Sequence, residues 1–185
     1  LVAGLARVSA EERPTLLVRI PPIEREGEQA ARARVHDALT RGADGIVLPH
    51  IRSPEEARVA VRFFEEVEAD VWSPANPDGR IIAMLMIEDP GALEAAEAIA
   101  KIPGYSVLSC GIGSLTGALG GDRDAGETAA EVVLGHATRV GIPSMMTANR
   151  SNMARRIEQG YLGLLLQMGD NTAETIQLGR AAAGR

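Results

Sequence analysis

The chain has 185 residues, 45% of them hydrophobic and 3% aromatic, with 19 Lys+Arg against 25 Asp+Glu for a net charge of −6. That length corresponds to a single domain with ample apolar content, and the scarcity of aromatics requires a core of Ala, Val, Leu, Ile and Met. The acidic balance, with no Lys/Arg stretch interleaved with aromatics, excludes a nucleic-acid surface; no apolar run is long enough to span a membrane; and the lone Cys110 excludes an intrachain disulfide and fits a reducing, cytoplasmic setting.

Residues 1–12, LVAGLARVSAEE, lack a signal peptide's pattern and read as the tail of an amphipathic helix. The chain starts at Leu1 rather than Met, so further N-terminal residues are expected. Residues 15–20, TLLVRI, form a β-rich apolar run stopped by Pro21 and Pro22. Residues 28–41 have helical spacing and end at Gly42. Residues 45–48, GIVL, are a second strand, broken at Pro49-His50. Ser53-Pro54-Glu55-Glu56 is a capping box opening a helix to about residue 68. Residues 71–80, VWSPANPDGR, are the most loop-like stretch and read as a surface excursion.

Residues 81–88, IIAMLMIE, are a third strand, and a helix over 89–101 follows with Asp89 as its cap and Pro90 first inside. Residues 105–110 are a fourth strand running into the glycine-rich turn GIGSLTGALGG. A helix over about 125–140 closes at Gly141, a fifth strand covers 144–148, a helix follows Asn149, and a sixth strand covers 162–168. Asp170 or Asn171 caps the last helix. Strand-then-helix alternation with continuous apolar strands predicts a parallel sheet buried on both faces. Composition leaves two architectures open. One is a doubly wound sheet; the other is a (β/α)8 TIM barrel with about six β/α units in this chain, residues 1–185 forming one barrel domain.

In both, chemistry collects at the carboxyl ends of strands. Glu88 ends the apolar run at 81–88, and a carboxylate beside so much apolar surface is paired, protonated or metal-bound, unless it turns out to water. Arg19 lies within an apolar strand and needs a partner, either a substrate carboxylate or a strand-end acid such as Glu88. His50 is a base candidate near neutral pH or a hydrogen-bonded loop residue. The turn at 111–114 exposes successive N–H groups that suit an anion, although glycines also simply make turns. Asp89 reads as a helix cap rather than a ligand, and Cys110 as a small core residue. No His/Cys cluster has zinc spacing and no G-x-S-x-G occurs.

The segments LLVRIPP, GADGIVLPHIRSPEEA, MLMIEDPGALEAAEAIAKIPG, VLSCGIGSLTGALGG and IEQGYLGLLLQMGD, in that order, resemble the HpcH/HpaI aldolase family of the phosphoenolpyruvate/pyruvate barrel superfamily. The resemblance implies a β/α barrel that binds pyruvate or its enolate on a divalent metal such as Mg2+, Mn2+ or Co2+. Glu88 would be a metal ligand, Arg19 would polarise the keto oxygen, and Gly111, Gly113 and Ser114 would bind the carboxylate. The reaction would be retro-aldol cleavage or aldol addition on a small 2-oxo acid, in a homo-oligomer. The chain departs from the family pattern in three ways. Ser114 stands where the family's second metal-ligating aspartate falls, Thr40 stands where an aspartate often precedes G-A-x-G, and the family's catalytic histidine lies on an earlier strand. A neutral hydroxyl is a poorer ligand for a hard cation than a carboxylate. Two further readings are an altered barrel that binds a small anion without cleaving it, and a CoA-ester lyase of the citrate or malyl-CoA type.

Overall fold

The structure is a computed structural model that describes residues 8–9, 13–169 and 171–185. The expected helical tail over 1–12 falls almost wholly outside these residues, as does Asp170. Four parallel strands form one sheet in the order β1 (Leu17–Arg19), β2 (Gly45–Leu48), β3 (Ile82–Ile87), β4 (Val107–Cys110). A parallel pair, β5 (Met145–Thr147) and β6 (Gly163–Leu165), continues it. The seam between β4 and β5 is not a regular ladder. Leu108 N–H donates to Pro143 O at 3.1 Å, and Met145 N–H donates to the buried Ser109 hydroxyl oxygen at 3.2 Å. Strand order follows chain order with no reversal, whereas a doubly wound sheet reverses at a switch point.

Helices occupy every interval between strands. They are α1 (Ile23–Glu26), α2 (Glu28–Thr40), α3 (Pro54–Glu65), α4 (Pro90–Glu94), α5 (Ala96–Ala100), α6 (Ile112–Ala118), α7 (Arg123–Arg139), α8 (Met153–Glu158) and, after β6, α9 (Thr172–Ala182). In α3 the residues Ala57, Ala60, Val61, Phe63 and Phe64 are buried, a stripe at helical spacing against the sheet. Fully burying a side chain such as Phe64 is worth roughly 1.5–3 kcal/mol. The Ser53 cap forms as its sequence predicts, accepting from Glu56 N–H at 3.2 Å. Glu56 reaches one residue further back than a reciprocal box would, to Arg52 N–H at 2.8 Å. Asp122 caps α7 through Asp124 N–H and Ala125 N–H. Among the described residues no helix is long and apolar enough to cross a membrane.

Three expectations are corrected. Residues 111–121 do not form an open turn. Gly111 is the N-cap of α6, Gly113 and Gly117 lie inside it, and only Gly120 and Gly121 bend with positive φ. Ile112 and Leu115 are buried and Leu119 packs beside them, so apolar positions at i, i+3 and i+7 draw the segment into a helix despite its glycines. The helix over 89–101 divides at Ala95 into α4 and α5. Burial on both faces holds for most of β2, β3 and β4, but β1, β5 and β6 keep partly exposed positions, because only the middle strands are flanked and covered on all sides.

Gly45 marks a close approach between strands. A Cβ there would meet Ile82 O at 2.4 Å and Ile82 Cβ at 2.7 Å. Backbone cannot swing aside as a side chain can, so Gly45→Ala is expected to cost roughly 1–3 kcal/mol, the usual range for overpacking. Urea unfolding should show the midpoint falling at constant slope.

Candidate active site at the strand ends

Glu88 follows the last residue of β3 and is 3% exposed. Its carboxylate gathers groups from the ends of three other strands. From β1, Arg19 Nη2 donates to Oε2 at 3.1 Å and lies 3.5 Å from Oε1. From the end of β2, His50 N–H donates to Oε2 at 3.2 Å. From α6, beyond β4, the Ser114 hydroxyl donates to Oε1 at 3.0 Å. Three segments, at residues 19, 50 and 114, thus converge on one buried anion. Glu88 does not turn out to water, and the burial of its charge is compensated by these donors.

Arg19 corrects a further expectation. Its side chain is 55% exposed, not buried, because β1 pairs only with β2 among the described strands. It meets Glu88, as the ion-pair alternative had it, and uses one terminal nitrogen to do so. A guanidinium has five N–H donors, so the exposed side keeps donors for a ligand.

His50 has φ 54, a left-handed conformation that costs a non-glycine residue about 1–3 kcal/mol. That turn aims its N–H at Glu88. The imidazole lies with Nδ1 3.1 Å from Asp89 Oδ2 and Nε2 3.6 Å from Glu88 Oε2. Asp89 occupies the N-cap position of α4 but makes no side-chain capping bond. Its carboxylate instead faces His50 and, at 3.7 Å, Arg52 Nε. The sequence reading of Asp89 as a cap missed this role, because E-D-P at a helix start carries the same signal whether or not the side chain turns to its own amides. The imidazole thus lies between two carboxylates, with Nδ1 turned to Asp89 and Nε2 turned to Glu88.

Gly111 does not present its amide to the site, since Gly111 N–H donates to Ile87 O at 3.1 Å. What Gly111 supplies is room. A Cβ there would fall 2.2 Å from Glu88 Oε1 and 2.5 Å from its Cγ. Gly113 has open space at its Cβ position and sits in the first turn of α6, where helical geometry leaves N–H groups without intrahelical partners. Cys110 is buried, and burial, with the Glu88 charge adding to it, pushes its thiol up to about 12, which makes it an inert core residue. Beside the cluster a cavity of about 490 Å³ opens between the first turn of α6 and the ends of β5 and β6.

The HpcH/HpaI aldolase/citrate lyase family model matches residues 3–179. The chain belongs to this family. A 4-hydroxy-4-methyl-2-oxoglutarate aldolase of Chaetomium globosum is 34% identical to this HpcH/HpaI chain over 127 residues, 58% of the chain and 47% of the aldolase. The match thus spans about half the length of that relative. Solved HpcH/HpaI structures share the fold. An aldolase from Desulfitobacterium hafniense DCB-2 superposes with a TM-score of 0.68 at 24% identity, covering 97% of this chain and 73% of the other. A citrate lyase beta subunit from M. tuberculosis, complexed with oxaloacetate and magnesium, gives 0.67 at 17% identity, covering 99% and 78%.

Proposed function

We propose that the two sheets belong to one (β/α)8 barrel whose strand ends form the active site of a metal-dependent carbon–carbon lyase. It would cleave or form aldol adducts of 2-oxo acids through a pyruvate enolate. The observation that carries this reading is the buried Glu88 carboxylate held by donors from three neighbouring strand ends, beside a partly free guanidinium.

The donor set fits a loosely held hard cation rather than a closed cage. Glu88 and the Ser114 hydroxyl are both oxygen donors, and among the described residues no cluster of three or more His, Cys, Asp or Glu could hold a metal. Mg2+ commonly binds through one or two carboxylates and keeps water and substrate oxygens for the rest of its shell. Glu88 would hold Mg2+, Mn2+ or Co2+ with Ser114 beside it, and the ion when bound supplies Lewis-acid stabilisation of the enolate oxygen. Arg19 directs its spare donors to the keto oxygen as negative charge develops there. The first-turn amides of α6, at Gly113 and Ser114, seat the carboxylate, while Gly111 leaves Glu88 the space to point inward. His50 Nε2, oriented by Asp89, accepts or returns the proton.

One feature favours a second reading, binding of a small anion without cleavage. Ser114 brings a neutral hydroxyl to Glu88 and no second carboxylate. Pyruvate release from 4-hydroxy-4-methyl-2-oxoglutarate separates the two. The lyase reading expects release that EDTA abolishes and Mn2+ restores. Oxalate binding with no pyruvate formed under any metal would favour the second.

A further inference from the structure

The last helix buries a hydroxyl where an apolar side chain would pack. Thr175 is the buried residue of α9, 8% exposed, and it lines the cavity of about 490 Å³ between the first turn of α6 and the ends of β5 and β6. A helical threonine can return its hydroxyl to the carbonyl four residues back, as Thr138 does to Leu134 O at 2.8 Å. The Thr175 hydroxyl makes no hydrogen bond among the described residues, so a buried donor is left over at the cavity wall. The start of α9 lines the same cavity. Its N-cap residue Asn171 makes no side-chain capping bond, and the Thr172 hydroxyl is committed to Gly169, accepting from its N–H at 2.8 Å and donating to its carbonyl at 2.7 Å. The positive end of an 11-residue helix thus opens on the cavity without a capping side chain.

Two guanidiniums add charge. Arg123, at the start of α7, and Arg150, after β5, line the cavity, and among the described residues no Asp or Glu does. Arg123 donates to Glu127 Oε1 at 3.0 Å, but the buried Arg156 holds both oxygens of that carboxylate, at 2.6 Å and 2.7 Å, so Arg123 has only a share of it. Arg150 meets Glu174 at 2.7 Å in a pair more than half exposed on both sides, which a ligand can readily exchange. Opposite these donors Ile112, Leu165 and Leu166 give the cavity an apolar side. Glu88, Arg19, His50 and Ser114 do not line it.

We infer that this cavity is a second ligand site, separate from the Glu88 cluster, and that it binds the phosphoryl group of a small phosphomonoester. The donors come from three segments, the start of α7, the end of β5 and the first turn of α9. A phosphoryl group offers three acceptor oxygens and close to two negative charges, whereas a carboxylate offers two oxygens and one charge. Guanidiniums and an uncapped helix start are the donors such a group takes, and the Thr175 hydroxyl gains the partner it lacks. A volume of about 490 Å³ is that of a small-molecule pocket rather than of a lone ion, and the apolar side receives the organic part of the ester. The assignment does not depend on the lyase reading.

Titration calorimetry of the full chain without added metal tests it, with phenyl phosphate, inorganic phosphate and benzoate as probes. Phenyl phosphate should bind roughly tenfold tighter than inorganic phosphate, through its ring, and roughly tenfold or more tighter than benzoate, through its phosphoryl group. Thr175→Val keeps the side chain's shape without the hydroxyl and should weaken phenyl phosphate roughly tenfold with no loss of melting temperature, while Thr175→Ser should keep the affinity. Arg123→Gln and Arg150→Gln, both at exposed positions, should each weaken it by a similar factor. No binding of phenyl phosphate, or binding that Thr175→Val and the double arginine variant leave unchanged, would overturn the site. Benzoate binding as tightly as phenyl phosphate would overturn the phosphoryl assignment, and inorganic phosphate binding as tightly would overturn the ester in favour of the free ion. Phenyl phosphate binding that depends on Thr175, in a protein that releases no pyruvate, would support this site while removing the lyase activity.

Discussion

Glu88→Gln is expected to abolish most pyruvate-forming activity while leaving the fold intact. The amide is nearly isosteric with the carboxylate. Its oxygen can accept from Arg19 and His50 N–H, and its NH2 can donate to the Ser114 oxygen once that hydroxyl rotates. All three neighbours thus keep a partner, and unfolding free energy should change by no more than about 1 kcal/mol, the scale of one hydrogen bond. Charge is what disappears. On the lyase reading a divalent cation would lose the buried carboxylate proposed to hold it, and the Arg19 guanidinium is no longer held by an anion. Losing one such electrostatic stabiliser typically lowers kcat by about 10²–10³-fold. Circular dichroism and urea unfolding would report the fold, and pyruvate release the chemistry. Wild-type turnover in a folded Glu88→Gln protein would remove the catalytic assignment altogether.

The second large effect concerns stability and lies away from the site. Arg156 is 1% exposed, lies 5.9 Å from the Tyr161 ring centre, and places two nitrogens on the Glu127 carboxylate. Its Nε has no partner within hydrogen-bonding distance. Glu127→Ala would strand a buried guanidinium, and breaking one side of such a pair typically costs about 3–5 kcal/mol. Arg156→Met combined with Glu127→Leu should recover much of that loss, because the cost comes from the unpaired charge rather than from absence of the pair. Chemical denaturation of the three proteins decides the matter. A double variant no more stable than Glu127→Ala would show that packing, not charge, dominates there.

The same pair sets a pH dependence. The Arg156 hydrogen bonds hold the Glu127 carboxyl below its ordinary 4.5. A carboxyl depressed in the folded state binds its proton more readily when unfolded. Its stabilising contribution is therefore complete above about pH 4.5 and fades as pH falls through the folded value. The wild type should lose stability over that acidic window faster than the Glu127→Leu, Arg156→Met double variant does.

The cluster around Glu88 shows how far residue order reaches. Glu88 was identifiable because an apolar run of strand length ended in a single acid. Arg19 was identifiable because a cation interrupted another such run. Their meeting was only one of two alternatives, since sequence does not say whether a cation and an anion 69 residues apart face each other or a ligand. Asp89 was concealed by its own plausibility as a cap.

Periodicity, punctuation by Gly and Pro, and capping chemistry determined by themselves the strand–helix alternation, the Ser53 cap and the strand-end placement of Glu88. These depend on neighbours a few residues away, and such short-range preferences are written directly in the chain. Tertiary structure alone decided that residues 111–118 coil into a helix, that β1 leaves Arg19 half in water, and that His50 adopts a left-handed backbone to reach Glu88. Each of those outcomes turns on contacts between segments dozens of residues apart. Burial of Ile112 and Leu115 in the core outweighs the entropy of Gly113 and Gly117, and the pull of one buried carboxylate outweighs the strain at His50.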